Sequence, residues 1–440
     1  MQKKIIALAV AAVASGAAFA QSNVTISGNL NYQFENISGS NPTMSNLAGF
    51  TAQASREGRG RVNENASNLK FSVTEDLGNG LKAMAVVESG IQATDTNNAT
   101  NAVPGTGING GSASRGGLGG RDSYIGLAGN FGTIVAGRLS VHYNSQGSVD
   151  SFGANTALAA STLAVFHGVG GAGYGLAAGG RLANTVAYVT PTVNGFNATF
   201  GYARPNASNR NNDGVVIQGA NVTRKESGWT VKANFDNGPI TAFASYLAHN
   251  DIAGANVLWQ NTANNALTTM TNSGTTTREV RGFRMGAAYS FPMGLKVGLI
   301  YDNTKDLWRD DSGDAIAAND DLTMKRTAWA IPVSYTFGAH TLGATYAKAN
   351  NLQTGGTIST ADAAVLDTNG TGARYWMMGY QYAFSKRTNV GVTFARVDND
   401  QRAAYDFFSN AAMGQNVVTT LNNTRGSDPV SVSVGLKHSF

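Results

Sequence analysis

From Val24 to Phe34 apolar and polar residues alternate for five repeats, Val24-Thr25-Ile26-Ser27-Gly28-Asn29-Leu30-Asn31-Tyr32-Gln33-Phe34. This is the period of a strand with one oily and one wet face. The same rule predicts strands at 69–73, 81–88, 122–128, 132–139 and 184–189. It recurs at 196–203, 228–235, 240–247, 280–291, 295–301, 327–337, 341–348, 375–384, 388–396 and 430–440, about sixteen strands in all.

The connections alternate in length. Tight turns fall at 76–80, 130–132, 236–239, 291–294 and 337–340, built from the Gly, Asn, Asp and Pro that such turns demand. Between them lie long polar stretches near 36–67, 90–120, 140–183, 205–227, 248–278, 304–324, 349–372 and 397–429. Short turns on one side and long loops on the other, with an even strand count, describe an all-β transmembrane antiparallel β-barrel whose termini share one side. A soluble β-sandwich also alternates, but its apolar face points into a packed core. Here the wet faces carry Lys82, Glu88, Lys232, Arg284 and Lys296, and the dry faces carry rings near strand ends. Tyr188, Phe196, Tyr202, Trp229, Phe235, Tyr289, Phe291, Tyr335, Phe337, Tyr382 and Phe384 have the placement of two interfacial aromatic girdles. A barrel of this size is too wide for side chains to fill and holds water unless a loop or plug occupies it.

Composition narrows the picture. Met1-Gln2-Lys3-Lys4, the apolar run 5–13 and the close on Ala18-Phe19-Ala20 have the order of a secretory signal, so residues 1–20 are expected to be removed, leaving 21–440 as one barrel domain. The apolar run is too short for a helical span, which needs roughly 20 residues. No proline-rich or charged linker divides the chain. Cysteine is absent, so neither disulfides nor thiolate metal sites contribute. Loss of Lys3 and Lys4 lowers the basic count from 32 to 30 against 27 acids, and the formal charge from +5 to +3, which argues against nucleic-acid binding.

Several segments carry a family resemblance. The run from Arg181 to Pro191, followed by Gly195-Phe196 and Phe200-Gly201-Tyr202, resembles the strand pair after the constriction loop in trimeric general porins of β-proteobacteria. The turn Glu75-Asp76-Leu77-Gly78-Asn79-Gly80-Leu81-Lys82-Ala83, the hairpin Gly126-Leu127 through Phe131-Gly132 to Gly137-Arg138, and the ending Val434-Gly435-Leu436-Lys437-His438-Ser439-Phe440 are similar to that family in the same order. The resemblance implies an outer-membrane homotrimer and a water-filled channel for small hydrophilic solutes and ions. It also implies contact with outer-membrane lipid and lipopolysaccharide, and delivery by periplasmic chaperones to the barrel assembly machinery, with Phe440 as the assembly signal. No cofactor or metal is implied.

By the same resemblance, residues 140–180 form an inward-folded constriction loop. Asp150 is its only acid, beside Ser151-Phe152-Gly153, where serine stands in place of the usual acid. Arg121 and Arg181 align with the family's basic ladder, and Asn68 stands at its first position, with Lys70 or Lys82 as substitutes. These residues, with Arg138, would make a positive ring favouring anions. His142 and His167 lie on the same loop, but two imidazoles without nearby acids fall short of a metal site or pH gate. A barrel enzyme is the rival from another class. It lacks support, because the chain has five histidines and no G-x-S-x-G elbow. A substrate-selective channel stays open, whereas a plugged receptor does not fit a first strand that starts near the expected cleavage site.

Overall fold

In the computed structural model, the described residues are 23–40, 56–64, 67–91, 118–140, 149–150, 152, 166, 181–204, 227–252, 257–260, 267–270, 276–310, 322–355, 368–401, 403, 405–407 and 426–440. The expected signal at 1–20 lies outside them, as do His142 and His167. The strands are β1 (Asn23–Ser40), β2 (Arg56–Glu64), β3 (Asn68–Gly78), β4 (Leu81–Gly90), β5 (Ser123–Gly129), β6 (Gly132–Ser140), β7 (Arg181–Val189), β8 (Phe196–Ala203), β9 (Ser227–Asn237) and β10 (Ile240–Ile252). They continue as β11 (Val257–Gln260), β12 (Leu267–Met270), β13 (Thr276–Ser290), β14 (Leu295–Asp310), β15 (Leu322–Phe337), β16 (His340–Ala349), β17 (Gln353–Gly355), β18 (Ala373–Ala383), β19 (Thr388–Asn399) and β20 (Asp428–Ser439).

Sixteen of these form the wall, each antiparallel to its neighbours, and they are the sixteen that the alternation predicts. Closure falls on β1, which pairs through Asn23–Asn29 with β3 and through Asn29–Ser40 with β20. Phe440 completes the seam. Its N–H donates to the Gly28 carbonyl at 3.1 Å, and the Gly28 N–H donates back at 3.0 Å. Gly28 is needed here, because a Cβ at that position would stand 2.8 Å from the Phe440 ring.

The wall strands run further than the sequence pattern indicates. β13, β14 and β15 have 15, 16 and 16 residues, and their far ends lie in stretches read above as polar loops. In Asp302-Asn303-Thr304-Lys305-Asp306 both faces are polar, so alternation disappears although pairing continues. The short β2 and β17 extend the wall on β1 and β15, and β11 and β12 make a separate hairpin. None of these four shows an apolar period, because above the membrane no face has to meet lipid.

Facing follows the period of two. On β14 Val297 and Leu299 point outward and are exposed, whereas Ile300 and Asp302 are fully buried inside. Two outward belts of rings result. Near the short turns Tyr289 packs on Phe291, Tyr335 on Phe337, and Tyr382 on Phe384, with centroids 4.8, 5.3 and 5.1 Å apart. Toward the long loops Trp229 meets Tyr246 at 5.0 Å, and Tyr346 lies between Trp329 at 5.3 Å and Trp376 at 4.3 Å. From Trp329 to Phe337, at about 3.4 Å per residue and a tilt near 40°, the wall rises about 21 Å, close to the roughly 25 Å apolar band of outer-membrane barrels.

Candidate functional site

The interior is two-sided. On β15 to β19 much of the inward face is small or apolar. Ala328, Ala330, Ala347, Ala349, Ala373, Ala395 and Val397 are buried, together with Tyr375 and Met377. Such a wall would be costly against water, and it is covered. Val149 and Phe152, from the segment between β6 and β7, belong to the same buried cluster, as do Ala403, Tyr405 and Phe407 from the segment between β19 and β20. Contact is close enough to require missing side chains: a Cβ on Gly379 would lie 2.7 Å from the Phe152 ring, and one on Gly298 would lie 2.9 Å from Val149. Asn399 ties down the second segment, donating from Nδ2 to the Tyr405 carbonyl at 2.8 Å and accepting the Tyr405 N–H at Oδ1 at 2.8 Å.

The remaining interior is polar. Asn31, Gln33 and Glu35 of β1 point inward, and Ser431 and Ser433 of β20 lie beside them. An open cleft is lined by Asn29, Asn68, Lys70, Glu88, Lys437 and Ser439. The covered half of the wall thus pushes any water path toward the polar half.

Each candidate residue of the sequence can now be placed. Arg121 forms an ion pair with Glu88. Arg181 reaches Asp122 through Nε at 2.8 Å, and the Ser140 hydroxyl donates to the same carboxylate at 2.8 Å. Arg138 donates from Nε to the Gly120 carbonyl at 3.1 Å. These three arginines stand together at the long-loop ends of β4 to β7, with carboxylates among them. Lys70 lies opposite Glu88 in the β3–β4 register, and Lys82 lies opposite Asp76. Asp150 is buried, but not against Arg121 or Arg181. Its electrostatic neighbours are Lys296 and Tyr375, on the other side of the barrel.

The most deeply buried charges were not among the candidates. Arg284, Asp302 and Arg326 project inward from β13, β14 and β15 with no side-chain exposure. Asp302 accepts from Arg284 Nε at 2.9 Å and from Arg326 Nη2 at 2.5 Å. The same Arg326 nitrogen donates to the Phe166 carbonyl at 2.8 Å, and the Arg284 guanidinium lies 5.0 Å from the Phe166 ring centroid. Two guanidiniums share one carboxylate, and Phe166 seals them from above. Lys232, on the same hydrogen-bonded row through Ser245, lies 5.6 Å over the Phe243 ring. A signal was available: Arg284, Asp302 and Arg326 share the inward parity of Lys232 and Lys296.

A closed barrel with an apolar belt outside, rings at both rims and a polar half-lumen defines a membrane channel of the outer-membrane type. Residues 7–402 match the Gram-negative porin family, and the chain belongs to it. It is 28% identical over 415 residues to an outer membrane porin protein of Bordetella pertussis, covering 89% of this chain and 92% of the relative. It is 28% identical over 448 residues to outer membrane porin protein 32 of Delftia acidovorans, covering 100% of both. Among solved structures, the anion-selective porin from Comamonas acidovorans superposes with a TM-score of 0.62 at 22% identity, covering 96% of this chain and 100% of that one. The protein is an outer-membrane porin that forms a water-filled channel for passive diffusion of small hydrophilic solutes and ions.

Breaking a buried ion pair by removing one partner costs about 3–5 kcal/mol. Asp302→Ala is therefore expected to lower unfolding stability by that order in denaturant titrations of protein refolded into lipid vesicles. An unchanged midpoint would show that the two arginines do not depend on the carboxylate.

Proposed function

We propose that the channel prefers anions, and that residues 140–180 act as its constriction. The observation that carries this reading is the inner-wall charge. Lys70, Lys82, Lys232, Arg284, Lys296, Arg326 and Lys437 share the inward parity, against Glu35, Asp76, Glu88, Asp236 and Asp302. Fixed charge of one sign lining a narrow aqueous path biases which ion enters. The solved relative from Comamonas carries anion selectivity in its name. In this reading Arg121, Arg138 and Arg181 contribute less than an unpaired ladder would, because Glu88 and Asp122 offset them. Lys70 and Lys437, in the open cleft, contribute more. The inward contacts of Val149, Phe152 and Phe166 support the constriction. We read the protein as a conduit and not as an enzyme, because the family and the relatives it matches are porins.

We also infer a homotrimer. A related Vibrio cholerae barrel, OmpT, is known in a trimer form, with a TM-score of 0.51 at 13% identity over 95% of this chain and 99% of that one. More directly, the outward face of the strands β4 to β6 carries the small and aliphatic Ala83, Ala85, Val87, Ile125, Leu127, Ile134 and Ala136, while the exposed ring of Phe131 stands in the β5–β6 turn. Such a smooth apolar face suits close contact with a second copy. The seam at Phe440 supports its reading as the residue that the assembly machinery recognises after export with periplasmic chaperones.

Three measurements test these readings. In planar bilayers under a salt gradient, the reversal potential should report anion preference. Lys70→Glu with Lys437→Glu should cut the anion-to-cation permeability ratio by about twofold or more, and Arg181→Ala should change it less. Cation preference in the unsubstituted protein would overturn the assignment. Ala85→Arg should abolish a cross-linked species of three chain masses in outer membranes while barrels still form, and its persistence would place the trimer contact elsewhere. Phe440→Ala should refold in pure lipid yet accumulate in the periplasm of cells. Normal insertion in cells would remove the assembly role.

A further inference from the structure

Inner-wall charge governs which ions enter, but one side of the lumen also carries a lining that charge alone does not use. The open cleft, about 290 Å³ in volume, is bounded by Ser27, Asn29, Asn68, Lys70, Lys437 and Ser439, together with Glu88. β1 runs through its middle. Ser27 lies opposite Lys70 and Asn29 opposite Asn68 on β3, while Asn29 lies opposite Ser439 and Asn31 opposite Lys437 on β20. Three neighbouring strands thus place two ammoniums, two carboxamides and two hydroxyls around one opening. Behind it the wall stays closed where β1 leaves β3 for β2. There the Ser67 hydroxyl accepts the Asn31 N–H at 2.9 Å and donates to the Asn31 carbonyl at 3.3 Å.

Each group limits what fits the cleft. Glu88, its acid, is engaged by Arg121. Among the described residues Lys70 and Lys437 form no ion pair, so they call for an anionic group. An ammonium only donates, whereas a carboxamide or a hydroxyl also accepts. A halide has no proton to offer and leaves the oxygens of Asn29, Asn68, Ser27 and Ser439 to water, and so does an alkyl carboxylate. A hydroxylated chain supplies the missing donors. Phe440 carries the one ring among the lining residues, so aromatic and long alkyl groups find little apolar surface. The acceptor-rich lining continues past Lys437 to Asn31, Gln33, Gln381 and Asn389, where Gln33 Oε1 is buried without a hydrogen-bond partner.

We propose that this cleft is a solute subsite for small polyhydroxylated carboxylates, sugar acids of about six carbons. The carboxylate meets Lys70 or Lys437, and the hydroxyls exchange hydrogen bonds with Asn29, Asn68, Ser27 and Ser439. The proposal rests on the anion-preferring reading of the channel and adds to it a chemical choice among anions. Size agrees with this class. A cleft of about 290 Å³ stands at the lower end of ligand sites, with room for a single sugar acid and not for an oligosaccharide.

The test measures the chloride conductance of single channels in planar bilayers while gluconate, hexanoate or sorbitol is added. Gluconate carries both the carboxylate and the hydroxyls, hexanoate only the carboxylate, and sorbitol only the hydroxyls. Gluconate should reduce the conductance saturably, with half-block on the order of millimolar and about tenfold below the concentrations that the other two require. Asn29→Ala with Asn68→Ala should raise the gluconate half-block about tenfold or more. Hexanoate, which engages only the lysines, should block this double variant as it blocks the unsubstituted channel, and that separates loss of the subsite from misfolding. Block by hexanoate or sorbitol at the same concentration as gluconate would overturn the assignment, as would an unchanged gluconate half-block in the double variant. An anion-preferring channel without stronger block by gluconate overturns the subsite alone, whereas cation preference in the reversal potential overturns the underlying reading and the subsite with it.

Discussion

A peptide group in hydrocarbon has no water to bond, so a sheet can cross a membrane only if its last strand returns to its first. Everything else in this structure depends on that closure. The β1–β20 ladder from Asn29 to Ser40, finished by the reciprocal bonds between Phe440 and Gly28, removes the edge that would otherwise expose unpaired N–H and C=O groups. Once the edge is gone, lipid dictates the outer face of each strand, and the inner face is free to carry other chemistry.

That freedom is used unevenly. A sixteen-stranded ring has far more interior than a narrow path for small solutes needs, and an apolar inner wall cannot face water without penalty. The alanine-rich half of β15 to β19 resolves both problems, because flat, small side chains let chain from two long connections lie directly on the wall. Large inward residues there would hold Phe152 away from Gly343 and Gly379. The cleft that is left open is lined by Asn29, Asn68, Lys70 and Lys437. The buried pairing of Arg284 and Arg326 on Asp302 belongs to the same arrangement, since it anchors the carbonyl of Phe166 to the wall.

Much of this was legible in the sequence, because lipid imposes a rule that survives without neighbours. All sixteen wall strands and the ring belts could be read from period and punctuation alone. Legibility stopped where the rule stops. Above the membrane both faces of a strand are wetted, so the ends of β13 to β15 and the short β2 and β17 left no trace in the alternation. Inside, the alternation suggested a wet face throughout, and the alanines at 328, 330, 347 and 349 were not recognised as a floor for covering chain. The candidate ladder of Arg121, Arg138 and Arg181 identified residues that do cluster, but Arg121 pairs with Glu88 and Arg181 with Asp122, each distant in the chain, and sequence spacing gives no measure of such pairing. Asp150 was placed on the right segment, yet the direction of that segment depends on which wall it can pack against.

Two sets of cations show how much rests on the period of two. Arg281 and Arg284 lie three residues apart on β13, and Lys325 and Arg326 are adjacent on β15, yet one of each pair faces lipid and the other the interior. The inner pair sits beside Asp302 and under Phe166, where it anchors covering chain. The outer pair sits at the rim, where the desolvation cost of a cation falls from about 2–4 kcal/mol at the bilayer midplane to nearly nothing. A slip of one residue in either strand would carry the inner arginines into hydrocarbon and the outer cations onto the covered wall. These charges therefore penalise the wrong register, and the closed ring passes that penalty to every neighbouring strand.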